Sequence, residues 1–161
     1  MAGDDLSTLG ISRMPGHLIR RLHQVSVSIV LEEASKAGFD LTPVQYAVLS
    51  ALQTCPGIDQ ATLAGVIAYD RVTIGGVIDR LVQKGLIRRE VSARDRRARE
   101  LHLSPQGLKV QESLTPVVRN AQAMILAGLD EKERETFVEL LHKATEAVNE
   151  QSRAPQRLPG K

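Results

Sequence analysis

The sequence predicts a mainly α-helical protein with one small β element near its middle. Three observations carry this. Apolar residues recur at helical spacing over most of the chain, the period shortens to two between Leu86 and Leu103, and capping residues stand at the helix boundaries. A length of 161 residues leaves room for one domain, or for two small lobes on a shared core.

The opening residues are polar and irregular, and residues 1–12 are expected to be mobile. From Pro15 a helical row begins with Leu18, Leu22, Val25 and Ile29, flanked by Ile19, Ser26 and Val30. Pro15 suits a first helical turn and Gly38 a helix end, which gives one long helix to about Ala37. Thr42-Pro43 then opens a second helix through Thr54, which Pro56-Gly57 stops. Asp59 caps a short third helix to Ile67, with Leu63, Val66 and Ile67 inside. Asp70 caps a fourth from Arg71 to Gln83, with Ile74, Val77, Ile78 and Leu81 inside, and Gly85 ends it. Leu86–Val91 and Arg99–Leu103 read as two strands joined by a protruding connection. Ser104-Pro105 caps a fifth helix to about Ala127, with a kink expected at Pro116, and Asp130 caps a sixth to about Glu150. Residues 151–161, rich in Pro and Gly, are expected to be disordered.

Composition removes several kinds of function. With 2 Phe, 2 Tyr and no Trp, the core must be aliphatic, and a stacking surface for single-stranded nucleic acid is not available. One cysteine, Cys55, excludes an intrachain disulfide and a Cys-rich zinc site, and the 4 His show no ligand spacing; neither a metal nor a cofactor is expected. No nucleophile–base pair, carboxylate pair or phosphate-cradling loop speaks for an enzyme. The start lacks the basic and apolar regions of a signal peptide, and no apolar run is long enough for a membrane span, so a cytoplasmic location is expected.

Charge is informative through its placement. The net charge is +2, but residues 84–100 hold seven Lys and Arg against three acids, which leaves the rest of the chain mildly acidic. One short basic block points to a localised anionic partner. In isolation such a run reads as a solvated face, with Asp95 pairing a neighbouring arginine. Two short helices, a turn and a basic hairpin form a winged helix-turn-helix, and in that setting the balance moves toward double-stranded DNA. The second of the two helices then enters the major groove while the first crosses the backbone.

On the Arg71–Gln83 helix the inward set leaves Arg71, Val72, Thr73, Gly75, Gly76 and Asp79 at outward angles. Arg71 can reach guanine edges or phosphate, Thr73 a base or a phosphate, and Val72 a thymine methyl. The Gly75-Gly76 pair costs up to about 1 kcal/mol per residue within a helix. It is explained if a backbone, of DNA or of a packed helix, approaches closely. Arg94, Arg96 and Arg97 at the hairpin tip suit the negative potential of a minor groove.

Several stretches now stand in register: Asp70 to Leu81, Lys84-Gly85-Leu86-Ile87-Arg88-Arg89, Asp95-Arg96-Arg97-Ala98-Arg99 and Leu103-Ser104-Pro105-Gln106-Gly107. Together they resemble the MarR family of transcriptional regulators. The flanking helices follow the family's order, so the resemblance covers nearly the whole chain. Gly75-Gly76 departs from the commoner recognition-helix pattern and leaves base readout to fewer side chains. With the Pro15–Gln24 opening, it is similar to regulators of aromatic-compound degradation.

The resemblance implies a homodimer in which residues 13–38 and 105–150 form a helical dimerisation region. Residues 41–104 then form a winged DNA-binding lobe that reads a pseudo-palindromic operator. The broad apolar rows of the first, fifth and sixth helices argue for a second copy independently. It also implies a repressor released by a small aromatic acid bound between the helical region and the winged lobe.

Polar groups that suit such an acid are His17, Arg20 and His23 on the first helix, Tyr46 on the second and Arg119 on the fifth. Each has a plainer reading. His17 and His23 can be surface or helix-packing residues, only one of Arg20 and Arg21 can face inward, and Tyr46 can be core. Arg119 interrupts an apolar stretch and is the foremost carboxylate partner. Cys55, with no basic neighbour in sequence, does not fit a redox switch. A winged-helix adaptor that acts through protein partners without a ligand is the alternative function.

Overall fold

The computed structural model describes residues 10–93, 95 and 97–159. The six predicted helices and the hairpin occur in the predicted order. They are α1 (Pro15–Lys36), α2 (Pro43–Thr54), α3 (Gln60–Val66), α4 (Arg71–Gln83), β1 (Ile87–Val91), β2 (Arg99–Leu103), α5 (Pro105–Ile125) and α6 (Glu131–Ala147). A short 3-10 turn, Gly10–Arg13, precedes α1, and residues 1–9 of the expected mobile start lie outside the described residues. β1 and β2 pair antiparallel, with Ile87 opposite Leu103 and Val91 opposite Arg99. Among the described residues no single helix is long and apolar enough to cross a membrane.

Local chemistry sets the helix starts. The Thr42 hydroxyl accepts from the Gln45 amide while the Gln45 side chain accepts from the Thr42 amide, and Asp130 and Glu133 repeat this reciprocal cap on α6. Asp59, Asp70 and Ser104 each accept amide hydrogen bonds from the first turns of α3, α4 and α5. Pro116 lies inside α5 without ending it.

The core belongs to the winged lobe. Val48, Leu49 and Leu52 of α2, Leu63 of α3, and Ile74, Ile78 and Leu81 of α4 are fully buried. Ile87 of β1, Leu101 of β2 and Leu114 of α5 join the cluster. The long helices contrast with this. α1 buries only Val30 and Ala34, and α6 buries nothing. Leu18, Ile19 and Val25 of α1, with Val138, Leu140 and Leu141 of α6, remain exposed.

The root of the wing is a tight joint. The Ser104 hydroxyl donates to the Gly85 carbonyl at 2.6 Å and accepts from the Gly107 amide at 2.9 Å, while the Ser104 amide donates to the Leu86 carbonyl. A Cβ at Gly107 would stand 2.0 Å from the Leu86 carbonyl oxygen, so α5 starts against the backbone of the residue that enters β1.

The C-terminal segment corrects an expectation. α6 ends at Ala147 instead of about Glu150, a 3-10 turn covers Asn149–Gln151, and the chain to Pro159 lies against the winged lobe instead of being disordered. The Arg157 amide donates to the Gly65 carbonyl at 2.9 Å, and Gln156 Nε2 donates to the Val66 carbonyl at 3.0 Å. Asn149 brackets Gln156 through its side-chain amide, and Glu150 holds the Arg157 guanidinium through both oxygens. Carbonyls at the end of α3 hold the segment: that of Val66, and that of Gly65, which also accepts from the Ala68 amide at 3.2 Å.

Candidate nucleic-acid interface and an adjoining cavity

α4 begins at the Asp70 cap, and one Asp70 oxygen accepts from the Val72 amide, the Thr73 amide and the Thr73 hydroxyl. The Thr73 amide foremost, then its hydroxyl, with the Val72 amide and the charge of Arg153 adding, holds the Asp70 carboxyl below its ordinary range. Asp59 is lowered in the same direction, mainly by the Thr62 amide. Both caps therefore stay ionised and keep the two helices of the helix-turn-helix in place. The Thr73 hydroxyl proton is committed to Asp70, which leaves that oxygen to accept from a base or to stand by.

The outward set is displayed as the helical period demands. Arg71 is exposed, and Val72 is 90% exposed, an apolar side chain with nothing of its own chain to cover it. Gly75 faces the end of the Gln60 side chain, 3.3 Å from a Cβ placed there, and a Cβ at Gly76 would meet only the far end of Arg80 at 4.0 Å. Among the described residues no backbone from outside α4 comes within 4 Å of either added Cβ, so packing against another of these elements does not account for the pair. Gly76→Ala should therefore raise thermal stability by up to about 1 kcal/mol. If a DNA backbone approaches there, the same variant binds duplex more weakly, and equal affinity in a titration would remove that role.

The basic block divides into two parts. Lys84 pairs with Asp40 at 2.9 Å, Arg88 with Glu90 at 3.0 Å and Arg89 with Asp79 at 2.5 Å. These three cations brace the lobe, and Asp79, an outward residue by period, ties α4 to β1. At the tip, Asp95 accepts from the Arg97 backbone amide at 2.8 Å, and the Arg97 side chain is exposed. Arg94 and Arg96 lie outside the described residues.

The five polar residues expected near an effector do not share one cavity. His23 lines an apolar cleft of about 380 Å³ formed by Leu18, Leu22, Ile125, Phe137 and Leu141 of α1, α5 and α6. His17 is half-buried on α1, Arg20 is exposed and hydrogen-bonded to Gln24, and Arg119 is exposed on α5. Tyr46 joins a different group. Its hydroxyl lies 3.1 Å from Thr115 Oγ1, which also accepts from Gln111 Nε2 at 3.1 Å and donates to the Gln111 carbonyl. Since the Thr115 proton is taken, Tyr46 is the donor.

Gln111 is buried, and among the described residues its Oε1 has no hydrogen-bond partner. A buried acceptor left unmatched between α2 and α5 is costly and marks a place for a donor. Sequence reasoning passed over Gln111, Thr115 and Ser50. The signal was a polar residue at an apolar register position, one turn before Leu114.

A capped recognition helix with a bare apolar and glycine surface, a brace helix and a two-stranded wing define a winged-helix DNA-binding regulator. The model of the MarR family matches residues 39–98. The transcriptional regulator HosA of Escherichia coli O157:H7 is 35% identical over 104 residues, which are 65% of this chain and 77% of HosA. The chain belongs to the MarR family of transcriptional regulators. Two solved structures are similar over nearly their full length. One is the PcaV regulator of Streptomyces coelicolor in complex with its natural ligand, 32% identical with TM-score 0.77, covering 87% of this chain and 97% of that one. The other is Bordetella bronchiseptica BpsR, whose DNA binding is regulated by 6-hydroxynicotinic acid. It is 30% identical with TM-score 0.78, covering 83% of this chain and 94% of that one.

Proposed function

We propose that this regulator is a homodimeric repressor of catabolic genes, released from its operator by a small aromatic carboxylate of the hydroxybenzoate, hydroxycinnamate or hydroxynicotinate type. The observation that carries the reading is the His23 cleft. It is walled by helices of the dimerisation region, its volume of about 380 Å³ suits a small molecule, and its lining is apolar apart from His23, Ser26 and Gln122. PcaV with its ligand and BpsR with 6-hydroxynicotinic acid support the chemical class.

In this reading two copies present two recognition helices to a pseudo-palindromic site with half-sites about 10 bp apart. Arg71, Val72, Thr73, Gly75 and Gly76 meet the major groove, and Arg94, Arg96 and Arg97 meet the minor groove beside it. Of the five polar residues His23 alone lines the cleft; Arg119, on α5 one turn before Gln122 of the cleft, is the proposed carboxylate partner, while His17, Arg20 and Tyr46 stand outside the lining. The acid favours a dimer whose recognition helices are wrongly spaced for DNA.

The test combines thermal shift with anisotropy of a labelled duplex from the gene's own upstream region, across benzoates, hydroxycinnamates and pyridine carboxylates. An effector at about 100 times its Kd adds about 2.7 kcal/mol to the stability of the native state. The same compound should release the duplex, and Arg119→Ala should lose both responses. Intact duplex binding with no thermal shift from any of these acids would sink the effector reading and leave the DNA reading standing.

A further inference from the structure

The C-terminal segment lies over the turn of the helix-turn-helix, where a regulator of this kind meets DNA. Its Arg153 joins Arg71, the first residue of α4, in lining a polar cleft of about 400 Å³ with Gly65, Tyr69 and Asp70. Arg71 and Arg157 also line the adjoining depression, which Pro159 closes. The arginines have different partners. The Arg157 guanidinium is spent on Glu150 while its backbone amide donates to the Gly65 carbonyl, so the residue pins the segment. Among the described residues Arg71 and Arg153 make no ion pair, and the charge of Arg153 is felt at the Asp70 carboxylate.

Two exposed guanidiniums converge on one cleft at the start of the recognition helix. In a helix-turn-helix the phosphate backbone runs past this place while the helix points into the groove. Guanidinium is the side chain best matched to phosphate, through paired N–H groups. We propose that the C-terminal segment is part of the DNA-binding surface, and that Arg153 and Arg71 hold one backbone phosphate of duplex DNA in the cleft between them. The proposal rests on DNA binding by the winged lobe and adds a contact from outside that lobe. Arg157 acts as a positioning residue: the hold of its guanidinium on Glu150 keeps Arg153 over the turn.

The full chain tests this with a labelled duplex titrated between about 50 and 200 mM salt. Arg153→Ala should weaken binding several-fold and reduce the slope of log affinity against log salt by about one. Because both side chains hold one phosphate, Arg71→Ala with Arg153→Ala should cost less than the two single losses added together. Arg157→Ala should lower affinity while its melting profile stays close to that of the parent chain. An unchanged slope in Arg153→Ala, or simple additivity with Arg71→Ala, would overturn the shared phosphate. Tighter binding in either variant would overturn it too, and would make the segment a cover over the turn. Failure of the unmodified chain to bind any duplex would overturn the DNA reading itself.

Discussion

Gly107→Ala should unfold the joint between the wing and α5. An added Cβ would stand 2.0 Å from the Leu86 carbonyl oxygen and 2.9 Å from its carbon, both backbone atoms that cannot swing aside as a side-chain end can. Relief requires α5 to withdraw from the root of β1. That would break the Ser104 bridge, in which one hydroxyl serves the Gly85 carbonyl and the Gly107 amide together. Overpacking of a tight site costs about 1–3 kcal/mol, and this case belongs at or beyond the upper end. Urea denaturation should show a midpoint well below that of the parent chain. A midpoint unchanged within error would mean that the helix start has slack that its geometry does not show.

Leu140→Glu should convert the protein from dimer to monomer. Leu140 is 59% exposed in the single chain, and Val138 and Leu141 lie exposed on the same helix, which has no buried residue. A two-fold interface contains each residue twice, so the carboxylate is introduced on both sides. At about 2 kcal/mol or more per side, the dimer dissociation constant rises on the order of a thousand-fold. Sedimentation should report the lighter species, and operator affinity should fall with it, because one lobe reads only one half-site. Stability of the winged core should hardly change, since Leu49, Ile78 and Leu101 pack far along the chain from α6. A dimer that survives the substitution would place the partner elsewhere than on α6.

Most of the architecture was readable because its signals are local. Thr42-Pro43, Asp59, Asp70, Ser104-Pro105 and Asp130 each cap the helix that follows them, and a cap needs only the next three residues. The wing was visible in the change of period, and the outward face of α4 in the set left over once Ile74, Val77, Ile78 and Leu81 are placed inside. What escaped depends on distant partners. The C-terminal segment has the composition of a loose tail. It is ordered by two carbonyls, of Gly65 and Val66, about ninety residues earlier, and no periodicity encodes that meeting. Gln111 escaped for a related reason, because its importance arises only when α2 brings Ser50 and Tyr46 against α5.

The pair between Asp79 and Arg89 has a mechanical consequence. It ties the recognition helix to the first wing strand, while the joint at Ser104 ties the root of the hairpin to α5. Helix and wing are therefore linked at two places, by an exposed ion pair and by a hydroxyl bridge. The more these links make helix and wing move together, the more accommodation to an imperfect site falls to the duplex: to the number of base pairs between the two grips, and to how readily the uncontacted steps between them bend and twist.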